Sequence, residues 1–230
     1  MNRKTLSEIL AVLKESYLKP DTKLNFLDFD NPFQILIMTV LSAQTTDNNV
    51  NRVKPHLFSK YPTCEALADA KQEDVEEIIK STGFYHAKAK NIIAASKMLR
   101  DDFGSEVPRT IEELTRLPGV GRKTANIVLS HAYNINDGIA VDTHVKRLAQ
   151  RLGMSESSDP VVIERDLMKL VPKDEWELIN FLLISHGRNV CDARKPLCDE
   201  CKLKGLCKEF KNKTGTKSGK KNTDNGNKKK

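Results

Sequence analysis

Apolar residues recur along this chain at helical spacing, and no stretch alternates as a strand would. Leu6, Ile9, Leu10 and Leu13 form one stripe over Thr5–Tyr17, and Lys19-Pro20-Asp21 ends it. Asn31-Pro32 then opens a second helix, with Asn as cap and Pro at the first position. Its apolar run, Phe33 to Leu41, is nearly continuous, so it is expected to be buried on most sides yet is too short to span a bilayer. A polar turn, Ser42 to Asp47, leads into a helix toward Tyr61. Short helical segments follow at Thr63–Asp69 and Asp74–Lys80, with a stop at Ser81-Thr82-Gly83 and a longer helix over Phe84–Arg100. Beyond Ala132, helical spacing returns at Asp142–Leu152, Val161–Leu170 and Glu175–Ser185. The reading is all-α.

The centre of this pattern is Leu117-Pro118-Gly119-Val120-Gly121-Arg122-Lys123-Thr124-Ala125. Apolar helical spacing flanks it on both sides, and Pro-Gly-Val-Gly between marks a tight turn. It reads as helix, hairpin, helix over about 110–131. The N–H groups of Val120, Gly121 and Arg122 would open the second helix without internal acceptors, which suits a phosphate. A plain helix–helix turn with two capping glycines accounts for the same residues. Lys123 stands in the first turn, where the helix dipole disfavours a cation, and Arg122 stands beside it. Both effects push Lys123 toward a neutral, usable amine. Asp142, in Val141-Asp142-Thr143-His144-Val145, opens another amphipathic run and can cap it.

Charge narrows the partner. Nine Lys against one Glu and one Asp in residues 208–230 carry the whole net charge of +7, so residues 1–207 sum to zero. Any nucleic-acid site on the body must therefore be a local patch, while the Lys-rich end offers a sequence-blind attraction to polyanions. Aromatics are 6% with a single Trp, which excludes a broad stacking platform for single strands. From Asn212 no apolar residue follows, so 212–230 is expected to be a disordered tail. The N-terminal residues show no secretory or transit pattern. Four of the five cysteines, Cys191, Cys198, Cys201 and Cys207, are spaced C-x6-C-x2-C-x5-C. Without a secretion signal, metal ligation fits better than disulfides, and four thiolates suit zinc or an iron–sulfur cluster. Cys64 has no nearby cysteine partner. His131, His144 and His186 lack metal-like spacing.

Leu117–Asn126 followed by Ala140–Val145 resembles the helix-hairpin-helix DNA glycosylase superfamily, in its endonuclease III branch, and the cysteine spacing is similar to that branch's cluster motif. The resemblance covers about residues 1–210. It implies a two-lobed all-α fold: a six-helix lobe over 24–134, and a second lobe from 1–23 and 135–211 that carries a 4Fe–4S cluster on Cys191, Cys198, Cys201 and Cys207. It implies a bifunctional glycosylase and abasic-site lyase of base excision repair, acting on oxidised pyrimidines in double-stranded DNA. Lys123 would be the nucleophile and Asp142 the stabilising or proton-relaying carboxylate, one on each lobe. Gln44 falls at the family's plug position, where an amide can meet the orphaned base. Phe84 falls where the family often carries a leucine wedge, and its bulk is a departure. Gly119, Val120, Gly121 and Arg122, with Arg194 and Lys195 of the cluster loop, would meet phosphates. The expected molecule is a monomer with no membrane association, cytoplasmic and nucleoid-associated if its source is bacterial or archaeal. Two other classes remain: a monofunctional mismatch glycosylase, which typically lacks the lysine at 123, and a non-catalytic iron–sulfur or zinc-stapled DNA-binding protein.

Overall fold

The computed structural model describes residues 1–215, and among them every regular element is helical. In chain order the α-helices are α1 (Arg3–Tyr17), α2 (Pro32–Leu41), α3 (Asp47–Lys60), α4 (Cys64–Ala68), α5 (Gln72–Ile79), α6 (Tyr85–Asp102), α7 (Ile111–Leu114), α8 (Arg122–Tyr133), α9 (Thr143–Leu152), α10 (Pro160–Leu170), α11 (Trp176–Asn189) and α12 (Lys208–Gly215). Caps follow the sequence signals. Asn31 accepts from the Gln34 N–H at 3.0 Å ahead of Pro32. Thr46 caps α3 through the Asn49 N–H, and Asp159 caps α10 ahead of Pro160.

The chain divides into two compact units. One comprises Asp21–Ala140 together with Lys173–Leu178. Its core is α2, whose Ile35, Leu36, Ile37, Met38 and Leu41 are fully buried, packed against α8, α3 and α6. The continuous apolarity of α2 is thus explained by neighbours on several sides. Seven α-helical segments lie in this unit, α4 and α7 being single turns. The other unit comprises Met1–Pro20, Val141–Pro172 and the chain from Ile179 onward. There α9 packs on α10 and α12, and Leu148, Ile163, Leu167, Leu182 and Leu203 are buried.

The observed boundaries differ from 24–134. Residues 135–140 stay with the first unit because Ile135 packs on its core, and Ile139 and Ala140 are buried. Residues 173–178 rejoin it, with Glu177 paired to His131 at 2.9 Å. Residues 212–215 of the expected tail are helical instead. The helix α12 runs to Gly215, held by an ion pair of Lys213 with Glu209 and by the Thr214 hydroxyl donating to the Phe210 carbonyl at 3.0 Å. The disorder expected for 216–230 falls outside the described residues.

Candidate functional site

The hairpin is built by capture of its own backbone groups. Thr110 caps α7, its hydroxyl oxygen accepting from the Glu113 N–H at 3.2 Å. Leu114, Leu117 and Val120 anchor the turn in the core. The Leu117 N–H donates to Leu114 and the Val120 N–H to Leu117, both at 3.1 Å. The Val120 N–H is therefore spent inside the turn, which corrects its expected place among the phosphate donors. Gly119 adopts φ +79°, and an added Cβ would lie 3.0 Å from the Asn91 Cβ, so the fold itself requires glycine there. Gly121 is different. It has φ −98°, and a Cβ there would meet nothing within 4 Å. It is the N-cap of α8 and supplies no side-chain acceptor. Arg122 and Lys123 occupy the first two positions of α8, and both are exposed. A desolvated amine at Lys123 thus requires a bound partner to exclude water.

Gln44 and Phe84 both lie in this unit, on two polar turns. Each has a left-handed backbone, φ 54° at Gln44 and φ 49° at Phe84, which side chains other than glycine adopt rarely and at a cost of about 1–2 kcal/mol. Both are exposed, Phe84 to 67%, so Phe84 is no core aromatic. Neighbouring His86 pairs with Glu76 at 2.6 Å and stacks near Tyr85, with ring centroids 4.2 Å apart.

In the other unit, Asp142 is half-buried and caps α9, its carboxylate accepting from the Val145 N–H at 2.7 Å. The four cysteines line one cavity of about 40 Å³, several times the roughly 10–15 Å³ that one water needs. Four cysteine sulfurs around a common space fit an iron–sulfur cluster. Burial pushes the Cys201 and Cys207 thiols up, a cost that bonding of their thiolates to iron offsets.

Sequence reading missed the shell around these cysteines. Arg151 donates to Cys191 Sγ at 3.2 Å and to the carbonyls of Asp192 and Ala193. Arg147 donates to the Cys191 and Gly187 carbonyls. His186 Nε2 lies 3.5 Å from Cys201 Sγ, and the Tyr17 hydroxyl meets its Nδ1 at 2.9 Å. Burial lowers the His186 pKa to about 4, so its ring is neutral at pH 7. The i, i+4 spacing of Arg147 and Arg151 on α9 was a visible signal, but nothing in the sequence named their acceptors. Asp192 accepts from the Arg194 and Lys195 N–H groups at 2.8 and 3.0 Å, and both cations are exposed. Cys64 belongs to the first unit and is buried there, its sulfur 3.8 Å from the Ser105 carbonyl oxygen.

A helical fold with a glycine hairpin before an exposed lysine, together with a four-cysteine loop, defines a DNA-repair glycosylase class carrying an iron–sulfur motif. Residues 37–173 match the HhH-GPD superfamily base excision DNA repair proteins, and residues 191–207 match the iron-sulfur binding domain of endonuclease III. Endonuclease III of Synechocystis sp. is 53% identical over 201 residues, covering 87% of this chain and 90% of that protein. Endonuclease III of Escherichia coli is 40% identical over 213 residues, covering 93% and 99%. Among solved structures, a trapped endonuclease III–DNA covalent intermediate superimposes with TM-score 0.86 at 41% identity, covering 93% of this chain and 99% of that one. A thermostable thymine-DNA glycosylase shares the fold, with TM-score 0.81 at 22% identity over 91% of this chain and 98% of that one. This chain belongs to the endonuclease III family of the HhH-GPD superfamily.

Proposed function

We propose that Lys123 is the nucleophile with which this chain releases oxidised pyrimidines from duplex DNA and then cuts the strand. The chain is a base excision repair enzyme, a DNA glycosylase with abasic-site lyase activity, and duplex DNA containing damaged bases is its partner. The Lys123 amine attacks the sugar C1′, and the base leaves with the glycosidic electron pair and a proton. Ring opening gives a Schiff base on Lys123. The iminium acidifies the C2′ hydrogen, and loss of that proton expels the 3′ phosphate by β-elimination. The observation that carries this reading is the exposed Lys123 directly behind the uncapped Gly121, where a phosphate can approach the opening turn of α8.

Asp142 is assigned the carboxylate role. Its carboxylate, held by the hydrogen bond from the Val145 N–H, can stabilise positive charge on the sugar and relay the amine's proton. Gln44 and Phe84 are assigned to the gap left by the flipped nucleotide, the amide meeting the orphaned base and the ring wedging the step. Gly119, Gly121 and Arg122, with Arg194 and Lys195, are assigned to phosphates. Cys191, Cys198, Cys201 and Cys207 hold a 4Fe–4S cluster, which fixes the loop presenting Arg194 and Lys195. No described helix is long and apolar enough to cross a membrane. The enzyme is assigned as a monomer, cytoplasmic and nucleoid-associated if its source is bacterial or archaeal. Borohydride trapping on duplexes that each carry one defined lesion tests the assignment. Adducts on oxidised pyrimidines support it, and adducts confined to mismatches or absent from every duplex overturn it.

A further inference from the structure

Asn49 is the third residue of α3, where a capping-box side chain would reach back to its own helix. It reaches outward instead. Its amide nitrogen donates to the Thr45 hydroxyl at 3.1 Å and to the Ser81 carbonyl at 2.5 Å. Thr45 directly follows Gln44, and Ser81 lies three residues before Phe84. One amide thus joins the two turns that carry the left-handed, exposed residues. The second turn is held from its other side, since the buried Lys88 ammonium donates to the Thr82 carbonyl at 2.7 Å. Gly83 in this turn has φ +69°, and the outside bonds add to those the turn makes itself, from the Thr82 hydroxyl to the Ile79 carbonyl at 2.8 Å and from the Gly83 N–H to the Lys80 carbonyl at 3.4 Å.

We propose that Asn49 is a positioning residue that makes Gln44 and Phe84 enter the duplex as one rigid unit. This rests on the assignment of those two residues to the DNA. A carbonyl accepts and never donates, so only an amide or other donor at position 49 can bind Ser81. The sequence offered no hint, because Asn49 reads as an ordinary polar residue near a helix start.

The test is single-turnover base release from a lesion duplex by the full-length protein. Asn49→Asp keeps shape and places an anion favourably in the first turn of α3, whereas Asn49→Leu loses polarity altogether. The two changes differ in charge and polarity, yet both break the link to Ser81. Each should slow release on the order of tenfold, the scale of one or two lost hydrogen bonds, while borohydride trapping on a single-stranded abasic oligonucleotide stays at the wild-type level. Gln44→Ala and Phe84→Ala should each slow release as well, and adding Asn49→Asp to that pair should cause no further loss. Unchanged release by both Asn49 variants overturns the proposal, as does a full tenfold loss that persists without Gln44 and Phe84. If Gln44→Ala and Phe84→Ala are themselves silent, the DNA assignment fails first and Asn49 has nothing to position.

Discussion

A Cβ on Gly119 would stand 3.0 Å from the Cβ of Asn91, in backbone already at φ +79°. Gly119→Ala is therefore expected to destabilise the protein by about 1–2 kcal/mol from the left-handed backbone alone, with the contact adding to it. Gly121→Ala meets open space at an ordinary φ and should cost at most about 1 kcal/mol as a poorer cap. Its effect should appear on DNA instead, with affinity reduced about tenfold if a phosphate lies against the backbone. Thermal melts paired with titrations of a lesion duplex separate the two. Equal DNA affinity for Gly121→Ala and wild type would remove phosphate from that site.

Lys123→Gln keeps length and polarity but no amine. It should fold, bind lesion DNA near wild-type affinity and give no borohydride-trapped adduct. Asp142→Asn retains a side-chain acceptor for the Val145 N–H, so stability should hold, while trapping slows by roughly 10²-fold, the scale of one lost electrostatic stabiliser. Asp142→Ala should add a stability loss of about 0.5–2 kcal/mol from the missing cap. An adduct at normal rate with Lys123→Gln places the nucleophile elsewhere.

The cluster loop gives a third contrast. Arg194→Ala and Lys195→Ala each remove one cation and should each flatten the salt dependence of DNA binding by about one counterion. Asp192→Ala removes an anion, yet it frees the two N–H groups that shape the loop. Simple charge counting predicts tighter binding by Asp192→Ala, whereas loop positioning predicts weaker binding. Titration over a range of salt concentrations decides between them.

Protein purified without oxygen should be brown with broad visible absorption and contain iron rather than zinc. Cys201→Ser should lower iron content, melting temperature and DNA affinity together, because one lost thiolate loosens the shared anchor. A colourless protein with one zinc per chain would contradict an iron–sulfur cluster at these cysteines.

Much of this was legible from residue order, for identifiable reasons. Asn31-Pro32, Thr46 and Asp142 act through bonds to neighbours three residues away, so local sequence contains the whole interaction. The hairpin was visible through Pro118, Gly119 and Gly121. Sequence could not distinguish the two glycines, because Gly119 is fixed by Asn91, 28 positions upstream. The donor role expected of Val120 failed for a related reason, since its N–H closes the turn onto Leu117. The partners of Arg151, His186, Tyr17 and Asn49 were illegible because each lies 15 to 169 positions away.

The unit that carries the cysteines is assembled from three separated stretches, the first ending at Pro20 and the last beginning at Ile179. On the ribosome, the segment 21–140 emerges contiguously and already contains the α2–α8 core. Leu6, Ile9, Leu10 and Leu13 of α1 must wait for partners made more than 120 residues later. Synthesis therefore imposes an order: the hairpin-bearing unit can close first, and iron can be captured by all four cysteines only after Cys207 has left the ribosome.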